Sequence, residues 1–326
     1  MGNNHYIVGG NLNTSASTSF KVAQKVKDYF LLMKFTLSFT VVFSCVICYL
    51  VAPNVQLHNT DTVIKVILLF IAGMLVTGSA NAINQAVEKD TDALMKRTAK
   101  RPVADGRMSQ QEAYGFAFMA GALGVGMMYF VFNIESALLS AFSLFLYAYI
   151  YTPLKKVNSI AVLVGAFPGA LPCLIGWVAA TGFLSPIAEF QVNGVAYSNF
   201  AGWALFGIQF LWQFPHFWAI AWVAHGDYAK AGFRLLPADK GPTKFTALQA
   251  VMYSVLMIPV GLLPYKFHIS GQISLVILMI CNLMMVGQCL RLYKEMDVKA
   301  ARRVMFSSYI YLPVVLLALL FDKVAV

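Results

Sequence analysis

The sequence predicts an all-α, polytopic integral membrane protein with nine transmembrane helices. Three observations carry that expectation. Of the 326 residues, 59% are hydrophobic and only 12% are charged, whereas a soluble domain is about half apolar and a quarter charged. Apolar runs of the roughly 20 residues needed to cross a bilayer recur from end to end. Lys and Arg gather on alternate loops.

The spans read, in order, as 30–52, 63–88, 112–132, 136–152, 159–181, 200–224, 245–264, 270–290 and 303–321. Pro, Gly, Asn and charge clusters mark their ends, as in PNVQLHN, NSI and FDK. Residues 1–28 form an N-terminal segment. Its first 20 residues, rich in Asn, Gly, Ser and Thr, read as a disordered tail. FKVAQKVKDYF then reads as a basic amphipathic helix at the interface. Residues 29–326 form a single transmembrane domain, with no room for a sizeable soluble one. The five cysteines all lie in apolar runs and read as small packing residues.

Nine spans place 21 of the 24 Lys and Arg on one side, including Lys240 and Lys244; Lys65, Lys266 and Lys323 fall on the other. That split puts the N-terminus in the cytoplasm and the C-terminus outside, in the cell's inner (plasma) membrane. The net charge of +10 is therefore a topology signal with anionic lipid as its partner, not nucleic acid.

The stretch NAINQAVEKDTDALMKRTAKRP, residues 81–102, departs from this pattern. An apolar span ends in Asn84, Glu88 and Asp92, at i, i+4 and i+8, which places them within about 80° of one helix face. Asp90 points away. Topology does not ask for acids here. Stacked oxygen side chains suit Mg²⁺, which typically binds one or two carboxylates plus substrate phosphates, so a diphosphate partner follows. Arg97 and Arg101 offer planar forks for phosphate oxygens; Lys96 and Lys100 read as topology charges. On the same side Asp227 is the lone carboxylate after span six, and YTPLKK (151–156) supplies Tyr151 and Lys155. Two acidic ends would clamp metal and diphosphate between them.

These motifs resemble those of the UbiA superfamily of intramembrane prenyltransferases. MKRTAKRP, YTPLKK, WQFPHFWAIA and DYAKAGFRLLP are similar, more narrowly, to its haem O synthase branch. The resemblance covers spans two to six and their loops. It implies a UbiA-type fold and transfer of farnesyl from farnesyl diphosphate to a vinyl group of haem B, with Mg²⁺ as cofactor and a haem A synthase as a candidate partner. It assigns Asn84, Glu88, Asp92 and Asp227 to metal and catalysis. Ala231 stands where quinone-type members often carry a second acid, which fits the haem branch. Members often carry Lys-Pro-Arg entering span one; here Lys34 is followed by Phe35 and Thr36, leaving Lys34 as the basic contact expected there.

Span six adds His216, 11 residues before Asp227 and so near the same face of a continuous helix, unless Pro215 disturbs the register. His216 is a candidate haem contact or a packing histidine held by Gln213. Phe210, Phe214, Phe217 and Trp218 are candidate walls of a haem or isoprenoid cavity. Three other readings compete. A quinone-type prenyltransferase shares the motifs. A transporter would use helices broken at Pro168, Pro172, Pro215 and Pro259. A haem electron carrier would need paired histidines at similar depth.

Overall fold

A computed structural model of the protein describes residues 12–237 and 241–324. Residues 1–11 of the expected tail and Lys240 lie outside the described residues. Helix α1 (Leu12–Leu32) starts inside the stretch expected as tail and contains the amphipathic segment. It bends by 49° into α2 (Phe35–Val51). Next come α3 (Thr60–Val87), the short α4 (Lys89–Ala93), and α5 (Gln110–Met127), which widens into a π-turn over Met128–Phe132. Helix α6 (Ile134–Phe145) widens likewise over Leu146–Tyr151 and continues into α7 (Thr152–Leu154). Helix α8 (Ala161–Thr181) leads to a β-hairpin, β1 (Glu189–Val192) and β2 (Val195–Ser198). Then follow α9 (Phe200–Val223), α10 (His225–Lys230), α11 (Lys244–Gly261), α12 (Leu263–Lys266), α13 (Gln272–Glu295) and α14 (Val298–Phe321).

Among the described residues, seven helical segments are long and apolar enough to cross a membrane, and the bent α1–α2 pair makes an eighth. The chain is a multi-pass membrane protein. Nine spans are compatible with this count. The expected sixth span is α9, whose 24 residues reach about 36 Å and carry no charge. Gln209, Gln213 and His216 sit in it, and all three are buried against neighbouring helices.

The helices form a ring, α2, α3, α6, α8, α9 and α14, around an apolar cavity of 890 Å³. Helix α8 is the most buried span. Gly176 lets α2 approach it closely, since a Cβ there would lie 1.9 Å from the Cys45 carbonyl oxygen; small residues serve this purpose in membrane bundles. All five cysteines are free and buried, as expected. Pro168, Pro172, Pro215 and Pro259 lie inside continuous helices, which removes the broken-helix argument for a transporter. The hairpin is an addition to the all-α expectation. Asn193 and Gly194, both at positive φ, make its two-residue turn, the Asn-Gly signal of a type I′ hairpin.

At the bundle end opposite the acidic residues, the ammonium of Lys323 donates to the carbonyls of Leu50, Ala52 and Val55, at 2.9, 2.7 and 2.7 Å. It thereby satisfies carbonyls at and just beyond the end of α2. Burial holds the Lys323 pKa down at about 8.

Candidate active site

The acidic stretch does not continue α3 as one regular helix. Helix α3 stops at Val87, Glu88 takes φ −92° and ψ 12°, and α4 begins at Lys89. The i→i+4 bonds nevertheless bridge the break: Glu88 N donates to Asn84 O and Asp92 N to Glu88 O, at 2.9 and 2.7 Å. Asn84, Glu88 and Asp92 are therefore all buried at one end of the bundle, while Asp90 is exposed as expected.

Each member of the acidic face holds a different cation. The Lys34 ammonium donates to Asn84 Oδ1 at 2.7 Å. Lys155 Nζ lies 2.5 Å from Glu88 Oε1. Arg101 Nη1 donates to both oxygens of Asp92, at 2.8 and 2.7 Å. Three cations from three separate segments thus converge on one stripe of α3–α4. Asn84 is further fixed by donating to Thr152 Oγ1 at 3.3 Å. Burial pulls the Lys155 pKa below the ordinary lysine value, with Glu88 opposing.

Lys34 reaches this stripe because the chain breaks there. It adopts φ 49° and ψ 55°, the left-handed region, at a cost of about 1–2 kcal/mol. At the end of α1, Leu31 O accepts from Lys34 N and Met33 O from Ser38 Oγ, and α3 adds donors to both and to Leu32 O. Gln85 Nε2 donates to Leu31 O and Leu32 O, both at 2.9 Å. Asn81 Nδ2 donates to Met33 O and to Ser38 Oγ, both at 3.1 Å. Each such bond contributes about 1 kcal/mol net, and an orphaned carbonyl at membrane depth costs several. The clamp therefore outweighs the backbone strain. Asn81, Gln85 and Thr152 are site-building residues that sequence reasoning passed over, although all three stood inside the motifs singled out. Amides on an otherwise apolar helix were the signal.

The remaining cations divide. Arg97 Nη2 donates to Tyr228 Oη at 3.0 Å, next to Asp227. Lys96 and Lys100 are exposed. Asp227 is partly exposed on α10, which Ala224 separates from α9; the helix expected to run unbroken from His216 to Asp227 is interrupted there, although Ala224 N still donates to Ile220 O and Tyr228 N to Ala224 O. Among the described residues no three of His, Cys, Asp and Glu gather to hold a metal, and Asp227 is not brought into a carboxylate cluster with Glu88 and Asp92. The donor chemistry still fits Mg²⁺. Hard oxygen atoms from one or two carboxylates are its usual protein share, and phosphate oxygens complete the shell.

Tyr151 joins this polar end to the cavity. It lines the cavity, and the Lys155 ammonium lies 4.9 Å from its ring centre. Deeper along α9, His216, Trp212, Gln213 and Phe217 line the same space. The other expected wall residues turn elsewhere. Phe214 stacks on Tyr253 with centroids 4.0 Å apart, Trp218 packs on Phe214 at 5.5 Å, and Phe210 meets Phe167 at 5.0 Å.

Gln213 is not the partner of His216. It donates to Ala166 O at 3.0 Å, while His216 Nδ1 meets Ser308 Oγ on α14 at 2.8 Å. Ser308 spends its own proton on Met305 O at 2.6 Å. Its oxygen must then accept, so Nδ1 carries the imidazole proton and Nε2 keeps a lone pair for the cavity. The ring is stacked on Trp212 at 4.5 Å.

A profile of the UbiA prenyltransferase family matches residues 41–311. The chain belongs to that family. Protoheme IX farnesyltransferase of Cytophaga hutchinsonii is 42% identical over 93% of this chain and 100% of its own length. Among solved structures, digeranylgeranylglyceryl phosphate synthase superposes with a TM-score of 0.72 at 23% identity, over 92% of this chain and 98% of that one. A UbiA homologue from Archaeoglobus fulgidus bound to GPP and Mg²⁺ gives a TM-score of 0.62 at 16% identity, over 90% and 99%. These solved structures share the fold of this chain.

Proposed function

We propose that the protein transfers the farnesyl group of farnesyl diphosphate to a vinyl group of haem B, giving haem O on the route to the haem A of terminal oxidases. One observation carries the reading: paired acids and cations on α3–α4 open through Tyr151 into an apolar cavity whose wall holds an imidazole with a free lone pair. The names of relatives such as the Cytophaga protein support the same assignment.

Asn84, Glu88, Asp92 and Asp227 would hold Mg²⁺ together with the diphosphate oxygens. Bound there, Mg²⁺ neutralises leaving-group charge. Lys34, Arg97, Arg101 and Lys155 face the diphosphate and stabilise the charge that develops as its C1–O bond breaks. The apolar wall keeps water from the allylic cation. The terminal vinyl carbon of haem attacks C1, the new cation is delocalised by the porphyrin, and water adds to the adjacent carbon. Diphosphate and one proton leave. The porphyrin lies against α9, with His216 Nε2 available to its iron and Gln213 beside it. Positive-inside logic puts the acidic end and the N-terminus in the cytoplasm, the C-terminus outside, and the protein in the inner membrane. A haem A synthase is the candidate partner that would consume the product.

The deciding experiment is incubation of purified protein with haem B, farnesyl diphosphate and Mg²⁺, followed by mass analysis of the haem. A haem heavier by one farnesyl and one hydroxyl group is expected. Unmodified haem, with a quinone-type aromatic acceptor prenylated instead, would reverse the assignment.

A further inference from the structure

The stripe of α3 that presents the acids also holds the break between α1 and α2. Asn81, Asn84, Gln85, Glu88 and Asp92 follow helical spacing on one face. Two of them never meet a cation. Gln85 takes the Leu31 and Leu32 carbonyls, and Asn81 takes Met33 O on one side of the break and Ser38 Oγ on the other. Between these anchors sits Lys34, left-handed, donating to Asn84 Oδ1 at 2.7 Å. All four amide bonds end within four residues of it. No proline or glycine in the sequence Met33-Lys34-Phe35 imposes the bend. A non-glycine residue holds this conformation only when its surroundings over-determine it; here they are the two α3 amides together with the Ser38 hydroxyl, which donates to Met33 O at 2.7 Å across the break.

We infer that Asn81 and Gln85 are positioning residues that clamp the α1–α2 break and so aim the Lys34 ammonium at the diphosphate. The inference rests on the proposed reading of the Asn84–Glu88–Asp92 face as the diphosphate end. The Lys34 backbone donates to Leu31 O and accepts from Ser38 N, while its ammonium and the carbonyls before it are tied to α3, so the cation and Asn84 keep their spacing whenever α3 shifts. Neither amide touches substrate; both act through Lys34. With the clamp removed, residues 31–35 relax toward a regular helix and the ammonium swings off the face.

The test is a double-mutant cycle read by binding. The probe is farnesyl thiodiphosphate, in which sulfur replaces the bridging oxygen so that the C1–S bond ionises far more slowly than C1–O, titrated with Mg²⁺ present onto full-length protein in detergent. Gln85→Leu weakens binding by about tenfold or more, the scale of one charge-assisted contact, but causes no further loss in a Lys34→Met background. Haem B affinity stays unchanged in both. Asn81→Leu opens the clamp from the other side of the break and carries the same expectation, so the result does not depend on one variant folding. Equal losses in both backgrounds, no loss in either, or a parallel loss of haem binding would overturn the clamp while leaving the proposed function standing. Failure of the wild-type protein to bind the probe would instead overturn the proposed function, and the clamp with it.

Discussion

The Lys155 ammonium lies 4.9 Å from the centre of the Tyr151 ring and 2.5 Å from Glu88 Oε1. One cation therefore stands at the junction of the polar end and the apolar cavity. Because burial lowers its pKa, the charged form needed for diphosphate is present at low pH and is lost as pH rises, earlier than for an exposed lysine near 10.4. The profile of kcat/KM for farnesyl diphosphate reports the free enzyme, and its alkaline limb should fall below that value. Lys155→Arg stays charged throughout and should remove the limb. The stability contribution of the same group runs the other way: above its folded pKa the unfolded chain binds more protons, so stability rises with pH up to the ordinary lysine value.

Asp92→Asn and Asp227→Asn each remove a carboxylate charge without changing shape. Farnesyl transfer at limiting Mg²⁺ should drop by about two to three orders of magnitude in each. Both proteins should still insert and fold, as judged by size-exclusion profile. Near wild-type turnover in both would mean that the diphosphate end lies elsewhere.

Arg101 and Lys299 separate function from topology. Arg101 grips a fully buried Asp92, whereas Lys299 is exposed on α14. Arg101→Ala should raise the farnesyl diphosphate KM about tenfold or more. It should also lower the melting temperature, because stranding a buried charge costs about 3–5 kcal/mol. Lys299→Ala should change neither quantity. The reverse ranking in steady-state kinetics would refute the division.

His216→Ala should weaken haem B binding and slow turnover while farnesyl diphosphate affinity holds. Ser308→Ala leaves the imidazole but removes the acceptor that fixes its tautomer, so a smaller loss in the same direction is expected. Haem titration followed by absorbance distinguishes them; an unchanged spectrum in His216→Ala would exclude axial ligation.

The bilayer makes spans legible, because it imposes one length and one composition on every helix. The acids were legible for a related reason: charge at the end of an apolar run needs a purpose, and i, i+4, i+8 survives the break at Glu88. What stayed hidden depended on contacts between distant segments. Ser308 reaches His216 across 92 residues, and no local pattern marks it, so Gln213 looked the better partner. The break at Glu88 has no proline or glycine beside it as a sign. The phenyl groups of α9 share helical spacing, but only packing against α11 decides that Phe214 and Trp218 face away from the cavity. The Asn193-Gly194 turn was readable and went unread, lost among the longer apolar runs.

The bond from Lys323 to the end of α2 spans 273 positions of sequence at its longest, and α14 packs directly on α2 to close the ring. During synthesis the first wall of the cavity is thus made at the start and its last wall at the finish. Helices α3 and α8 pack on α2 earlier, but until α14 emerges the cavity side of α2 stays open and its end lacks the Lys323 ammonium. A nascent chain arrested before α14 would hold the complete acidic face yet enclose no chamber, and would be a natural client for membrane quality control.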